Sequence, residues 1–100
     1  MIQTAEPAIP GLYQTDEVEA EDKIVYEHWL LPHVNFHWWI VELDLSEGIA
    51  FGYANLNDDW CAEWGYIDMA ELTSIGAVRD TAWTPRPFRD SETRSERLLP

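Results

Sequence analysis

Between Phe36 and Val41 the chain reads Phe-His-Trp-Trp-Ile-Val, apolar at every position except His37. The run is far short of the ~20 residues needed to cross a bilayer. Its aromatic and β-branched residues favour a strand. A strand with one wet face alternates apolar and polar side chains; this one does not, so both of its faces must be covered. Alternation begins only beyond it, with Val41, Leu43 and Leu45 set against Glu42 and Asp44, which predicts one wet face there. The fold must therefore build a sheet around this segment and lay further chain over it.

The flanking sequence supplies the neighbours. Lys23–Leu31 reads as a strand stopped by Pro32, and Pro32–Asn35 as a turn into the strand Phe36–Leu45. Ser46-Glu47-Gly48 offers a hairpin turn, with Gly48 free to take positive φ. Ile49–Leu56 and Ala62–Ile67 follow as strands around the turn residues Asn57, Asp58 and Asp59. The period then changes. Asp68–Gly76 fits a short helix, with Asp68 as cap, Glu71 three residues on, Leu72 and Ile75 on one face and Gly76 as the stop. Residues 78–84 suit an edge strand, and Pro85 and Pro87 are expected to end regular pairing. Short turns make consecutive strands pair antiparallel. The expectation is an α+β domain, an antiparallel meander of four to five strands with one or two short helices on a face. Residues 1–11, with Pro7, Pro10 and Gly11, read as a loose lead-in, 12–88 as the single domain and 89–100 as a charged tail.

The 100 residues carry 19 Asp and Glu against 6 Lys and Arg, for a net charge of -13. Lys23 is the one cation before Arg79. Such a chain is a poor binder of nucleic acid, which needs cations to displace phosphate counterions, and of anionic membranes. The negative field suits a basic partner. If residues 17–21 are extended, Glu17, Glu19 and Glu21 project to one side, about 6.6 Å apart. Asp58, Asp59 and Glu63 form a second candidate patch. The plainer reading is that these carboxylates keep a Trp-rich domain soluble.

Other chemistry is sparse. His28, His33 and His37 invite a metal reading, since two of them can face each other across the hairpin. Zinc needs three or four ligands, no Cys pair accompanies them, and structural or surface roles are favoured. Asp58 and Asp59 in a turn suit backbone amides. Cys61 has no cationic neighbour to favour a thiolate, which suits a buried or inert thiol. No phosphate loop, serine elbow or dinucleotide fingerprint is present. No catalytic residue, metal or cofactor is therefore assigned. Six tryptophans exceed what so small a core can bury, so some are candidates for an interaction hot spot. A single cysteine fits a reducing cytoplasm, and neither a secretory leader nor a span is legible.

Seven segments carry a family likeness: Leu12-Tyr13, Asp22-Lys23-Ile24-Val25-Tyr26, Trp38-Trp39-Ile40-Val41-Glu42, Phe51-Gly52-Tyr53-Ala54, Glu63-Trp64-Gly65-Tyr66-Ile67, Arg79-Asp80 and Trp83-Thr84-Pro85. In this order, from Leu12 to Phe88, they resemble the bacterial domain-of-unknown-function family twenty-nine fifty-eight. The resemblance implies carriage on plasmids, phages and conjugative elements, near genes that counter host defences. It implies no activity and no catalytic residues. Together with the charge, it leads to the expectation of a non-enzymatic acidic binding protein. Such a protein would mimic nucleic acid and occupy a basic surface of a host nucleic-acid-handling defence complex, as an anti-CRISPR or anti-restriction inhibitor. Glu17, Glu19, Glu21, Asp58, Asp59 and Glu63 are its candidate contacts. Two alternatives stand beside it: a self-associating structural or adaptor domain working as a homodimer, and a small metal- or ligand-binding enzyme built on the histidine hairpin.

Overall fold

A computed structural model describes residues 8–91. Strands β1 (Ile24–Val25), β2 (Glu27–Leu31), β3 (Phe36–Asp44), β4 (Ile49–Leu56) and β5 (Glu63–Asp68) precede helix α1 (Met69–Ser74). Strands β6 (Val78–Arg79) and β7 (Arg86–Pro87) follow it. Five strands form an antiparallel sheet in the order β5-β4-β3-β2-β6, and β1 pairs with β7 in a separate ribbon. The meander runs from β2 to β5; α1 then carries the chain back across the sheet, so that β6 adds beside β2.

Strand β3 is covered on both faces, as its composition requires. On one side Leu31, Trp38, Ile40, Ala50, Ile67, Leu72 and Ala77 form a core beneath α1. On the other, Val25, Trp39 and Val41 form a second core with Phe51, Tyr53, Trp64, Trp83 and Phe88 packed against it. The adjacent Trp38 and Trp39 thus enter two different cores. The helix starts where the sequence places it, because the Asp68 carboxylate accepts the Ala70 and Glu71 N–H groups, and Gly76 turns the chain away at φ +94°.

A bulge shapes the centre of the sheet. Ile40 pairs with Gly52 and Glu42 with Phe51, leaving Val41 as the extra residue. Backbones crowd there: a Cβ on Gly52 would lie 2.0 Å from the Trp39 carbonyl oxygen. The bulge also explains the main departure from the sequence reading. The strand expected over Lys23–Leu31 is broken at Tyr26, whose N–H donates to the Ile40 carbonyl at 2.9 Å. Before that point the chain leaves the main sheet to pair with β7. Pro10 fills the vacated edge of β3, its carbonyl accepting from the Leu43 N–H at 2.8 Å.

Other expectations are corrected. The edge strand drawn over 78–84 is limited to Val78–Arg79, since Asp80 turns into hydrogen bonds with the backbone at Ala82 and Trp83. Pro87 does not end pairing: it sits opposite Ile24, and the Phe88 N–H then donates to the Lys23 carbonyl at 2.8 Å. A two-residue ribbon makes little demand on a Pro N–H. Residues 17–21 are not extended; turns run through 12–17 and a 3-10 turn spans Ala20–Asp22. Glu42 is not on a wet face but 3% exposed. Its carboxylate accepts the Tyr13 N–H at 2.8 Å, the Thr15 N–H at 3.0 Å and the Thr15 hydroxyl. Lys23 braces the same turn by donating to Thr15. Buried carboxylate oxygens require such donors. Leu45, placed by alternation among the inward residues, is exposed in the turn.

The crowding at Gly52 is testable. Gly52→Ala is expected to destabilise the protein by about 3 kcal/mol or more, the upper end of overpacking costs, because one backbone must move off another. Urea unfolding monitored by Trp fluorescence measures the change.

Candidate functional site

The turn between β4 and β5 is stiff. Asn57 takes the left-handed conformation at φ +62°. The buried Asn55 side chain reaches into the turn, accepting from the Asp58 N–H at 3.0 Å and donating to Asp59 Oδ1 at 2.8 Å. The Asp58 carboxylate accepts the Trp60 N–H at 3.1 Å, and the Asp58 carbonyl accepts the Cys61 N–H at 3.0 Å. This scaffold holds Trp60 out in solvent, 96% exposed. Asp58, Asp59 and Glu63 are exposed on the same tip. The amide-binding role expected of Asp58 and Asp59 is thus combined with outward charge. Cys61 is exposed rather than buried, and its hydrogen bond with Asp58 pushes the thiol pKa up, which keeps it protonated and unreactive.

Glu17, Glu19 and Glu21 are exposed on a different segment. They follow the turn latched by Glu42 and precede Asp22, which pairs with Arg89. None of the three forms an ion pair among the described residues. The structure thus gathers three of the six candidate carboxylates on one tip and places the other three apart, without the regular spacing an extended chain would have given.

The histidines are more organised than the sequence indicated. In the β2–β3 pairing His28 lies opposite Trp39, and His37 opposite Leu30, so the two imidazoles are diagonal neighbours on one face. Their rings are within 6° of parallel, with centroids 5.1 Å apart and Nε2 of His28 2.9 Å from Nδ1 of His37. That combination describes rings lying edge to edge in one plane. Trp39 runs parallel to both within 17°, and Trp83 tilts against His28. The chain continues in both directions. Nδ1 of His28 meets Asp80 Oδ2 at 2.8 Å, Nε2 of His37 meets Asn35 Oδ1 at 2.7 Å, and the Asn35 amide donates to Asn57 Oδ1 at 3.0 Å. Asn57 belongs to the Trp60 tip, so a wire of side chains runs from the loop after β6 to that tip.

The Asp80 carboxylate only accepts, so Nδ1 of His28 carries the hydrogen of that contact. At the ring–ring contact and at Asn35 the donor and acceptor roles follow the tautomers of the two imidazoles.

His33 stands apart, exposed in the Pro32–Val34 turn. No group of three or more His, Cys, Asp or Glu among the described residues is placed to hold a metal ion. The cleft between Tyr26, Glu27, Arg79 and Trp83 has a volume of about 210 Å³, below the ~300 Å³ at which small-molecule pockets begin. Next to the histidine pair, the indole N–H of Trp39 is the one buried side-chain nitrogen or oxygen among the described residues without a hydrogen-bond partner. No helix among the described residues is long and apolar enough to cross a membrane.

Compared with protein-family models, curated proteins and solved structures, the chain matches none. The residues themselves carry what can be said of function. Sequence reasoning found the acids of the tip and the two facing histidines. It passed over Asp80, whose partner His28 is brought to it only by the return of the chain after α1, and over Asn35 and Asn55, although Asn35 meets His37 two residues on and Asn55 meets Asp58 and Asp59 three and four residues on.

Asp80 sets a pH dependence. Its hydrogen bond from His28 holds its pKa below the ordinary carboxylate value; burial works against this, and the Ala82 N–H and the charges of His28 and Arg86 assist it. A carboxyl group with a lowered folded pKa stabilises the fold above its ordinary value, and that stabilisation is lost as the pH falls through the folded one. Asp80→Asn is therefore expected to cost about 2 kcal/mol near neutrality, the scale of a hydrogen bond to a charged group. The gap between variant and parent should narrow as the pH is lowered below the carboxylate range. Urea midpoints taken at about pH 7 and about pH 3 check both statements.

Proposed function

We propose that this protein is a non-enzymatic acidic binding module that docks on a basic surface of a nucleic-acid-handling protein. The observation that carries the reading is Trp60, held 96% exposed by a hydrogen-bonded turn and flanked by Asp58, Asp59 and Glu63. An indole kept in water has no packing role in the fold. Placed on a preorganised tip, it is the kind of anchor that supplies desolvated contact area in an interface. The surrounding carboxylates would meet the Lys and Arg groups that otherwise hold phosphates, and the net charge of -13 would speed encounter in a salt-dependent way.

Glu17, Glu19 and Glu21 add to the negative field from a separate segment rather than forming a ruler of phosphate spacing. The sharpest form of the reading is an inhibitor of a host defence complex, carried by a mobile element and acting in the cytoplasm. Like charge on two copies works against self-association through the same tip. The histidine wire ends on the Asp80 carboxylate and on the Asn57 amide, with no nucleophile along it, which favours a supporting role for it over catalysis.

The test is capture of partners from host lysate at low and high salt, followed by nucleic-acid binding assays on each purified partner. The protein is expected to compete with duplex DNA or RNA for the partner, less so at high salt. Trp60→Ala is expected to weaken docking by about 2 kcal/mol or more, as interface anchors do, while changing stability by less than about 0.5 kcal/mol. Glu63→Lys should weaken it further and flatten the salt dependence. Partner complexes whose nucleic-acid binding is unaffected by the protein, or docking that survives both substitutions, would overturn the reading. Light scattering that shows a stable dimer sensitive to Trp60→Ala would replace it with the homodimer reading.

A further inference from the structure

Strand β5 is the outermost strand on its side of the main sheet, with β4 as its one neighbour among the described residues. The register fixes which of its backbone groups face outward. In an antiparallel pair, residues that bond the partner strand alternate with residues that point away from it. Just past the end of β5 the Met69 N–H donates to the Gly48 carbonyl at 2.9 Å. Ile67, Gly65 and Glu63, in step with Met69, therefore turn their N–H and C=O groups toward β4. The same alternation, carried through the paired residues across the sheet, accounts for the bonds from Leu43 to Pro10, from Tyr26 to Ile40 and from Asp80 to His28. Trp64 and Tyr66 are left presenting their N–H and C=O groups to the outside. Edges are commonly blunted by Lys, Pro or a bulge, and β5 has none of these.

The side chains around this edge select an occupant. Ile67 packs in the core beneath α1, so by strand alternation Gly65 and Glu63 share that face. A Cβ on Gly65 would meet nothing within 4 Å. On the same face a groove of about 260 Å³ lies between α1 and the sheet, lined by Ala54, Leu56, Ile67, Leu72 and Ile75 among others. Leu56 and Ile75 are each 48% exposed there. Exposed acids stand at both ends of the edge, Glu63 at one and Asp68 and Glu71 at the other. Neither β5 nor the lining of the groove contains Lys, Arg or His. We propose that the outer edge of β5 takes up an extended segment of a partner as a sixth strand, with an aliphatic side chain over Gly65 and a Lys or Arg at each end. Main-chain bonds to Trp64 and Tyr66 supply affinity, and the acids choose the segment. Charge argues against a second copy as the occupant. In the symmetric register that pairs Trp64 with Tyr66, Glu63 of each copy comes beside Asp68 of the other, and like charges across a strand pair are destabilising. Strand β5 starts just after the Trp60 turn, so the edge continues the tip. That the segment belongs to a nucleic-acid-handling protein rests on the proposed docking role of Trp60; strand addition itself does not.

The experiment uses the full chain, labelled with ¹⁵N, and the blocked peptide acetyl-Lys-Val-Thr-Leu-Thr-Arg-amide. In the antiparallel register this sets Lys against Asp68, Leu against Gly65 and Arg against Glu63. Saturable binding is expected, with the backbone amides of Trp64 and Tyr66 shifting most and exchanging their hydrogens more slowly. N-methylation of both Thr residues of the peptide blocks the amides that face β5, and should weaken binding about tenfold or more through the loss of two main-chain bonds. N-methylation of its Val and Leu, whose amides face away, should leave binding nearly unchanged. Glu63→Gln should weaken it about two- to fivefold, the scale of a cross-strand charge pair. The proposal is overturned by an absence of saturable binding up to about 1 mM peptide, by shifts that avoid β5, or by equal losses from the two N-methylated peptides. A dimer of the chain joined through the Trp64 and Tyr66 amides overturns it as well. None of these readings involves nucleic acid or a captured partner. If the peptide fails to bind while Trp60→Ala still weakens docking, strand addition is wrong and the docking reading stands; the opposite pattern keeps the edge and removes the tip.

Discussion

The double burial of β3 is the constraint on which the rest of the molecule depends. Trp38 and Trp39 leave the strand in opposite directions, and each needs a core of its own. Main-sheet neighbours and a single short helix cover one side. Among the described residues the other side has no α-helix, and is closed instead by the β1–β7 ribbon together with Trp83 and Phe88. That cover is possible because the bulge at Val41 and the close approach at Gly52 bend β3 where the incoming chain must leave the main sheet.

The acidic residues divide by the same geometry. Glu42 is drawn inside to satisfy the turn at Tyr13–Thr15, Asp68 caps α1, Asp80 holds His28 and Asp22 meets Arg89. These carboxylates serve the fold, and their charge is largely matched by donors. Glu17, Glu19, Glu21 and Glu63 do no such internal work among the described residues, and Asp58 and Asp59 do it while remaining exposed. A net charge says nothing about this division. It separates the groups that stabilise the domain from those available to a partner.

The histidine pair joins the two themes. It lies on the face of β3 that the ribbon covers, packed on the same Trp39 that anchors the second core, and it reaches through Asn35 and Asn57 to the exposed tip.

Composition and period were enough to determine the meander. Phe36–Val41 demanded cover on both faces, the turns at Gly48 and Asn57 ordered the strands, and Asp68 and Gly76 bounded the helix. All of these are local preferences that the structure left in place. What the tertiary structure decided was everything set by partners distant in the chain. The break at Tyr26, the place of Pro87 in a ladder, the burial of Glu42 and the company of His28 arise from contacts whose two ends lie far apart in sequence. The acids at the tip were legible, since a turn exposes what it carries. The wire behind them was not, because a hydrogen bond between Asp80 and His28 exists only after the sheet register and the crossover of α1 have brought the two together.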